Sequence, residues 1–151
     1  MLVEKVLETK GKTGVLTIPA SASLREFVMR ASAENVGALP AVNEKGQIVG
    51  IISERDVLRL VNARVDLDRS TVASVMTKNV AWVTPKDDVN KAMDLMVTRS
   101  IRHLPVIASG KIQGLITVRD IMRAMRTAGE EDIRYLIDYL QESMKKEPTS
   151  L

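Results

Sequence analysis

A mixed α/β (α+β) fold is expected: two copies of a small β-α-β-β-α unit, related by a pseudo-twofold and packed as one module, then a C-terminal helix. Two observations predict it. GIISERDVLR at residues 50–59 returns as GLITVRDIMR at residues 114–123, and GALPAV at residues 37–42 returns as RHLPVI at residues 102–107. The offset is 65 residues from Pro40 to Pro105 and 64 from Asp56 to Asp120. A period this long, occurring twice, is too large for a solenoid turn and describes one duplicated supersecondary unit. The apolar positions recur at the same offsets, so both copies present the same faces and should pack on one another.

In the first copy, residues 15–18 read as a short strand ending at Pro19. Leu24, Phe27, Val28 and Ala31 then fall at i, i+3, i+4 and i+7, the stripe of an amphipathic helix over residues 23–34. Ser23 is its N-cap, and Glu26 is placed to complete a capping box. Residues 38–42 and 48–53 read as strands joined by a turn at Asn43-Glu44-Lys45-Gly46. Residues 55–64 close the unit as a helix with Val57, Leu58 and Val61 expected inward. In the second copy Val89, Ala92, Met93 and Met96 match the first helix, and Ile121, Met122 and Met125 the last. Residues 65–76 link the copies through a turn at 68–70 and a short segment at 72–76. Residues 129–147 form a helix with no repeat counterpart. Its stripe is Ile133, Leu136, Ile137, Leu140 and Met144, with Glu130, Glu131 and Asp132 at its start and Lys145 and Lys146 at its end, which suits the helix dipole. The expected divisions are 1–70 (first repeat with its lead-in), 71–128 (second repeat) and 129–151 (helix and tail).

Composition narrows the functional classes. The 151 residues are 45% hydrophobic and 27% charged, ordinary for a soluble globular chain. Apolar runs are only a few residues long and no signal peptide opens the sequence, so neither a membrane span nor secretion is expected. There is no cysteine, which removes disulfides, thiol catalysis and thiolate metal sites, and fits a cytoplasmic location. The net charge of +3 is slight, lysines and arginines are interleaved with acids, and only 3% of residues are aromatic. Direct nucleic-acid binding therefore has neither a basic stripe nor stacking platforms to work with. No paired base, nucleophile or metal cluster with usable spacing is present, so no catalytic residue and no metal ligand is assigned. Gly46-Gln-Ile-Val-Gly50 is a turn into a strand without a third glycine, not a dinucleotide fingerprint. Eight methionines are read as core and subunit-interface fillers.

The chemistry is concentrated in Ser53-Glu54-Arg55-Asp56 and Thr117-Val118-Arg119-Asp120, each where a strand ends and a helix begins. Such an end offers free backbone N–H groups and partial positive charge, suited to phosphate. The hydroxyl can bond phosphate or sugar, and the carboxylate three residues on can accept from both hydroxyls of a ribose. Arg55 and Arg119 add fixed charge, while the Ile51 and Leu115 strands can line a slot for adenine. The same residues also spell a capping box, which needs no ligand. Arg102 and His103 stand at the edge of the second copy's strand where the first has only Gly37 and Ala38.

These strings resemble the CBS domain, named after cystathionine β-synthase, and its tandem pair, the Bateman module. The resemblance covers residues 15–126. It implies a disc of two repeats with two clefts that take adenosine-containing ligands. By that resemblance one cleft would join Ile51, Ser53 and Asp56 to Lys78, Asn79, Val80, Ala81, Ile101 and Arg102. The other would join Leu115, Thr117 and Asp120 to Thr13, Gly14, Val15, Val36, Gly37 and Ala38. Arg102 and His103 fall where family members hold phosphates; a partly buried ring satisfied by a neighbour is the alternative for His103.

The expected function is a regulatory module for AMP, ADP or ATP that needs no cofactor, is not an enzyme, forms a homodimer and signals through a protein effector. Two alternatives stand beside it: a structural dimerisation module with empty clefts, and a sensor of another adenosyl ligand such as S-adenosylmethionine or NAD.

Overall fold

The computed structural model describes residues 1–11, 15–129 and 133–145. It has the mixed α/β architecture that the repeat predicts, and the chain divides into two compact units. The repeat-1 unit comprises Val15–Val80 with Ser109–Ile112, and the repeat-2 unit Met1–Gly14, Ala81–Ala108 and Gln113–Leu151.

In the repeat-1 unit, β1 (Ile18–Pro19), β2 (Ala38–Val42) and β3 (Ile48–Ser53) form a sheet in the order β1-β2-β3. β1 runs parallel to β2, with Ile18 opposite Ala41, and β2 antiparallel to β3. Pro40 lies opposite Ile51. Proline has no N–H to give a ladder, and Ile51 spends both backbone groups elsewhere: its N–H donates to Thr77 O and its C=O accepts from Thr77 N, each at 3.0 Å. Helix α2 (Leu24–Glu34) buries Leu24, Phe27 and Ala31 over the sheet. Ser23 caps it by accepting from Glu26 N at 3.1 Å, but the reciprocal bond from the Glu26 side chain is not formed among the described residues, so the expected box is only half made. Helix α3 (Glu54–Asn62) and the one-turn α4 (Val72–Val75) complete the unit.

The repeat-2 unit echoes this plan. Val83 bridges Val106 in parallel, 65 residues on from Ile18 and Ala41, although the opening strand is reduced to this one bridge. Helix α5 (Val89–Thr98) precedes the hairpin of β4 (His103–Ala108) and β5 (Lys111–Thr117), and α6 (Val118–Ala128) follows. Asn35 after α2 and Ser100 after α5 both adopt the left-handed conformation, at φ 53° and 52°, so the duplication extends to the backbone of the helix ends.

Three expectations change. The first strand is not residues 15–18 but the pair Ile18–Pro19, since only these two pair with β2. α3 ends at Asn62 rather than residue 64, and Leu58 and Val61 are exposed at 70% and 54%, not inward. Their counterparts on α6 are less exposed, Met122 half-buried and Met125 buried, and two further helices pack on α6: α1 (Val3–Lys10) and α7 (Ile133–Lys145). α1 has no forecast in the sequence reading; it buries Val3 and Val6 in the repeat-2 core. α7 begins at Ile133, and Gly129 is instead the left-handed C-cap of α6. Of its expected stripe Leu136 is buried, Leu140 is half-buried, and Ile137 and Met144 are exposed. Glu130, Glu131, Asp132 and Lys146 lie outside the described residues, as does the side chain of Ile133.

In each unit another segment crosses the strand that leads to the Ser/Thr-x-Arg-Asp string at its glycine, a following one at Gly50 and a preceding one at Gly114. A Cβ on Gly50 would lie 2.5 Å from Met76 Sδ and 2.9 Å from the Thr77 carbonyl oxygen. A Cβ on Gly114 would lie 2.8 Å from Leu7 Cδ2 on α1. Glycine at position 50 is therefore a requirement of close packing, not of turn geometry, whereas at 114 only a movable side-chain end stands in the way.

Candidate adenosine-ligand half-sites

Each Ser/Thr-x-Arg-Asp string sits where the sequence places it, with the hydroxyl residue as N-cap. At α3, Ser53 N donates to Asp56 Oδ2 at 2.9 Å, the Ser53 hydroxyl donates to the same oxygen at 3.1 Å, and Asp56 N donates to Ser53 Oγ at 3.4 Å. At α6, Thr117 N donates to Asp120 Oδ2 at 2.9 Å and Asp120 N to Thr117 Oγ1 at 3.2 Å. Both are complete capping boxes. A box fixes the carboxylate through Oδ2, and an ionised carboxylate has a second oxygen, so capping and ligand binding use different lone pairs. Helix capping explains the hydroxyl and acid; it does not exhaust what the acid can do.

The two carboxylates differ in surroundings. Asp56 is half-buried, whereas Asp120 is buried and is the one buried charged residue among those described. Lys10, the last residue of α1, supplies the difference. Its Nζ donates to Asp120 Oδ2 at 3.0 Å and to the Leu115 carbonyl at 2.7 Å. Asp56 has no ammonium partner among the described residues, and the Ile51 carbonyl is satisfied by Thr77 N. Lys10 escaped the sequence reading because its partners are 105 and 110 residues away. Its only local signal was a basic residue in the last turn of a helix, which the dipole alone would explain.

The remaining candidates take their places within their own units. Gly37 fixes the start of α3, its carbonyl accepting from Glu54 N at 2.8 Å; Ala38 is buried in β2, and Val36 packs against the repeat-1 core. Lys78 and Asn79 are exposed beyond Thr77, with Val80 half-buried, and Val15 is exposed. Arg55 is half-buried and Arg119 exposed on the first turns of their helices. In the repeat-2 unit Ala81 and Ile101 pack against the core, Arg102 is exposed, and His103 is half-buried at the start of β4. Thr13 and Gly14 lie outside the described residues. No three His, Cys, Asp or Glu side chains among the described residues group to hold a metal ion, and no described helix is long and apolar enough to cross a membrane.

Comparison with known proteins places this architecture. The CBS domain family model matches residues 11–63 and again residues 72–127. The chain is 36% identical over 114 residues to an uncharacterized 17.7 kDa protein of Acidianus ambivalens, covering 75% of this chain and 68% of that one. The CBS domain protein PAE2072 of Pyrobaculum aerophilum, solved in complex with AMP, superposes with a TM-score of 0.75 at 25% identity, over 93% of this chain and 99% of that one. The CBS domain pair of protein MJ0100, solved with 5'-methylthioadenosine and S-adenosyl-L-methionine, superposes with a TM-score of 0.74 at 25% identity, over 85% of this chain and 98% of that one. With two family matches falling on the two copies of the repeat, the chain belongs to the CBS-domain family and carries a tandem pair of CBS domains.

Proposed function

We propose that this protein is a regulatory module that binds an adenine nucleotide (AMP, ADP or ATP) and passes the signal to a protein effector, without catalysis of its own. The observation that carries the reading is the pair of strand-to-helix junctions at Ser53–Asp56 and Thr117–Asp120. Each box holds a carboxylate in one position beside a helix N-terminus, a pre-ordered acceptor for ribose hydroxyls next to a phosphate-attracting dipole. Family neighbours solved with AMP and with S-adenosyl-L-methionine support an adenosine-containing ligand. In this reading Ser53, Asp56, Thr117 and Asp120 meet the sugar and phosphate, and Arg102 and His103 contact phosphate. Calorimetry against AMP, ADP, ATP, S-adenosylmethionine and NAD tests it: saturable binding of the adenine nucleotides is expected, and binding of none would refute it. S-adenosylmethionine is the second reading because of the MJ0100 complex, and selective binding of it would replace the first.

We also propose a homodimer in the cytoplasm. The helix faces of Phe27, Val28, Met93 and Met96 are turned into the cores of their own units. Support comes instead from α3, where Leu58 and Val61 leave an apolar stripe exposed, and a twofold pair is the common closed solution for identical chains. Sedimentation at micromolar concentration is expected to give twice the 16.7 kDa chain mass. Leu58→Glu with Val61→Glu is expected to give the monomer; a monomeric parent would overturn the proposal.

A further inference from the structure

We propose that Lys10 is a built-in competitor for the repeat-2 half-site: its ammonium neutralises the Asp120 carboxylate and fills the corner beside it that a sugar would enter, leaving the repeat-1 half-site as the tighter one. The inference rests on the adenosine-ligand reading above. A ribose that uses this half-site must donate to Asp120, through the oxygen that the capping box leaves free. Lys10 Nζ already donates to Asp120 Oδ2 and to the Leu115 carbonyl, at 3.0 and 2.7 Å. One ammonium thus counters the charge that a sugar hydroxyl would bond and stands in the corner between the end of β5 and the start of α6.

The repeat-1 half-site has the same box and no such occupant among the described residues. There the Ile51 carbonyl is bonded by backbone, from Thr77, and among the described residues Asp56 is held by Ser53. Lys10 is also firmly delivered. α1 is anchored by Val3 and Val6 in the repeat-2 core, by the chain-terminal ammonium on Asp88 at 3.3 Å, and by Lys86 on Glu4 at 3.0 Å. Only the lysine side chain has to leave for a ligand to enter, and its own side chain is 35% exposed, so an exit to solvent is open. A ligand that must first displace it binds with its intrinsic affinity reduced by the fraction of time the lysine is away.

Calorimetry with adenosine and with AMP tests this on the full chain. Asp56→Ala removes the repeat-1 acceptor and leaves repeat 2 to be read. Adding Lys10→Met is expected to tighten binding of adenosine and AMP alike by about tenfold or more, the factor expected when a competitor present over nine-tenths of the time is removed. The gain should vanish when Asp120→Ala is added, and Lys10→Arg should restore weak binding. Lys10→Gln serves as the second variant if the methionine variant does not fold, as judged by its melting. Unchanged affinity in Lys10→Met overturns the proposal. So does weaker AMP binding with adenosine unaffected, which would make Lys10 a phosphate contact. If the parent and every variant bind neither ligand, the adenosine-ligand reading itself fails and this proposal falls with it.

Discussion

Asp56→Ala is expected to weaken adenine-nucleotide binding by about 1.5–3 kcal/mol, the scale of charge-assisted hydrogen bonds to a sugar. It should lower stability by only about 1 kcal/mol, the usual cost of a lost helix cap. Asp120→Ala should behave in the opposite sense. Asp120 is buried and receives both the Thr117 amide and the Lys10 ammonium, so its removal leaves a part-buried cation and a cap amide without their acceptor. A stability loss of roughly 1–3 kcal/mol follows, while the affinity lost is smaller because that half-site starts weaker. Calorimetry with AMP and thermal melting of the two variants separate the effects. If both bind AMP like the parent and only melt lower, the boxes are caps and nothing more.

Gly50→Ala is expected to destabilise the protein by about 1–3 kcal/mol, the range for forcing extra volume into a packed site. Gly114→Ala should cost less than about 1 kcal/mol, although the two glycines are counterparts in the repeat. The reason lies in what each methyl would strike. At Gly50 it meets the Thr77 carbonyl oxygen, and that peptide is fixed by its pair of 3.0 Å bonds to Ile51. At Gly114 it meets only the far end of the Leu7 side chain, which can rotate aside. Equal losses in denaturant or thermal melts would mean that α1 is as rigid over β5 as the segment at Thr77 is over β3.

The duplicated strings made the fold class, the four main helices of the repeats and both capping boxes legible, because each signal is local: a hydroxyl, an acid three residues on, and an apolar stripe. What stayed hidden depends on partners distant in the chain. The stripe of Leu58 and Val61 was read correctly as apolar, but periodicity marks a face without saying whether another helix covers it. α1 has only Val3, Val6 and Leu7 to announce it, too short a pattern to stand apart from an unstructured lead-in, and its helix is stabilised by packing on α6. β1 shrank to Ile18–Pro19, opposite Ala41 and Val42, because strand propensity in residues 15–17 does not say whether a neighbouring strand reaches them. Lys10 is the same lesson at the candidate site: a contact across 110 residues leaves no mark in either neighbourhood.

The placement of α1 also bears on how the polypeptide matures as it is synthesised. Apart from residues 109–112, the repeat-1 unit is one continuous stretch, Val15–Val80, and can collapse as soon as it has emerged. The repeat-2 unit joins residues far apart in the order of synthesis: Val3 and Val6 are made well before the α6 surface that buries them, which starts at residue 118. At about 5–20 residues per second, their apolar side chains wait on the order of ten seconds without that partner. Through that interval the uncovered α1 segment is a natural substrate for chaperones, and closing so long a loop makes docking of α1 the late, slow event of folding.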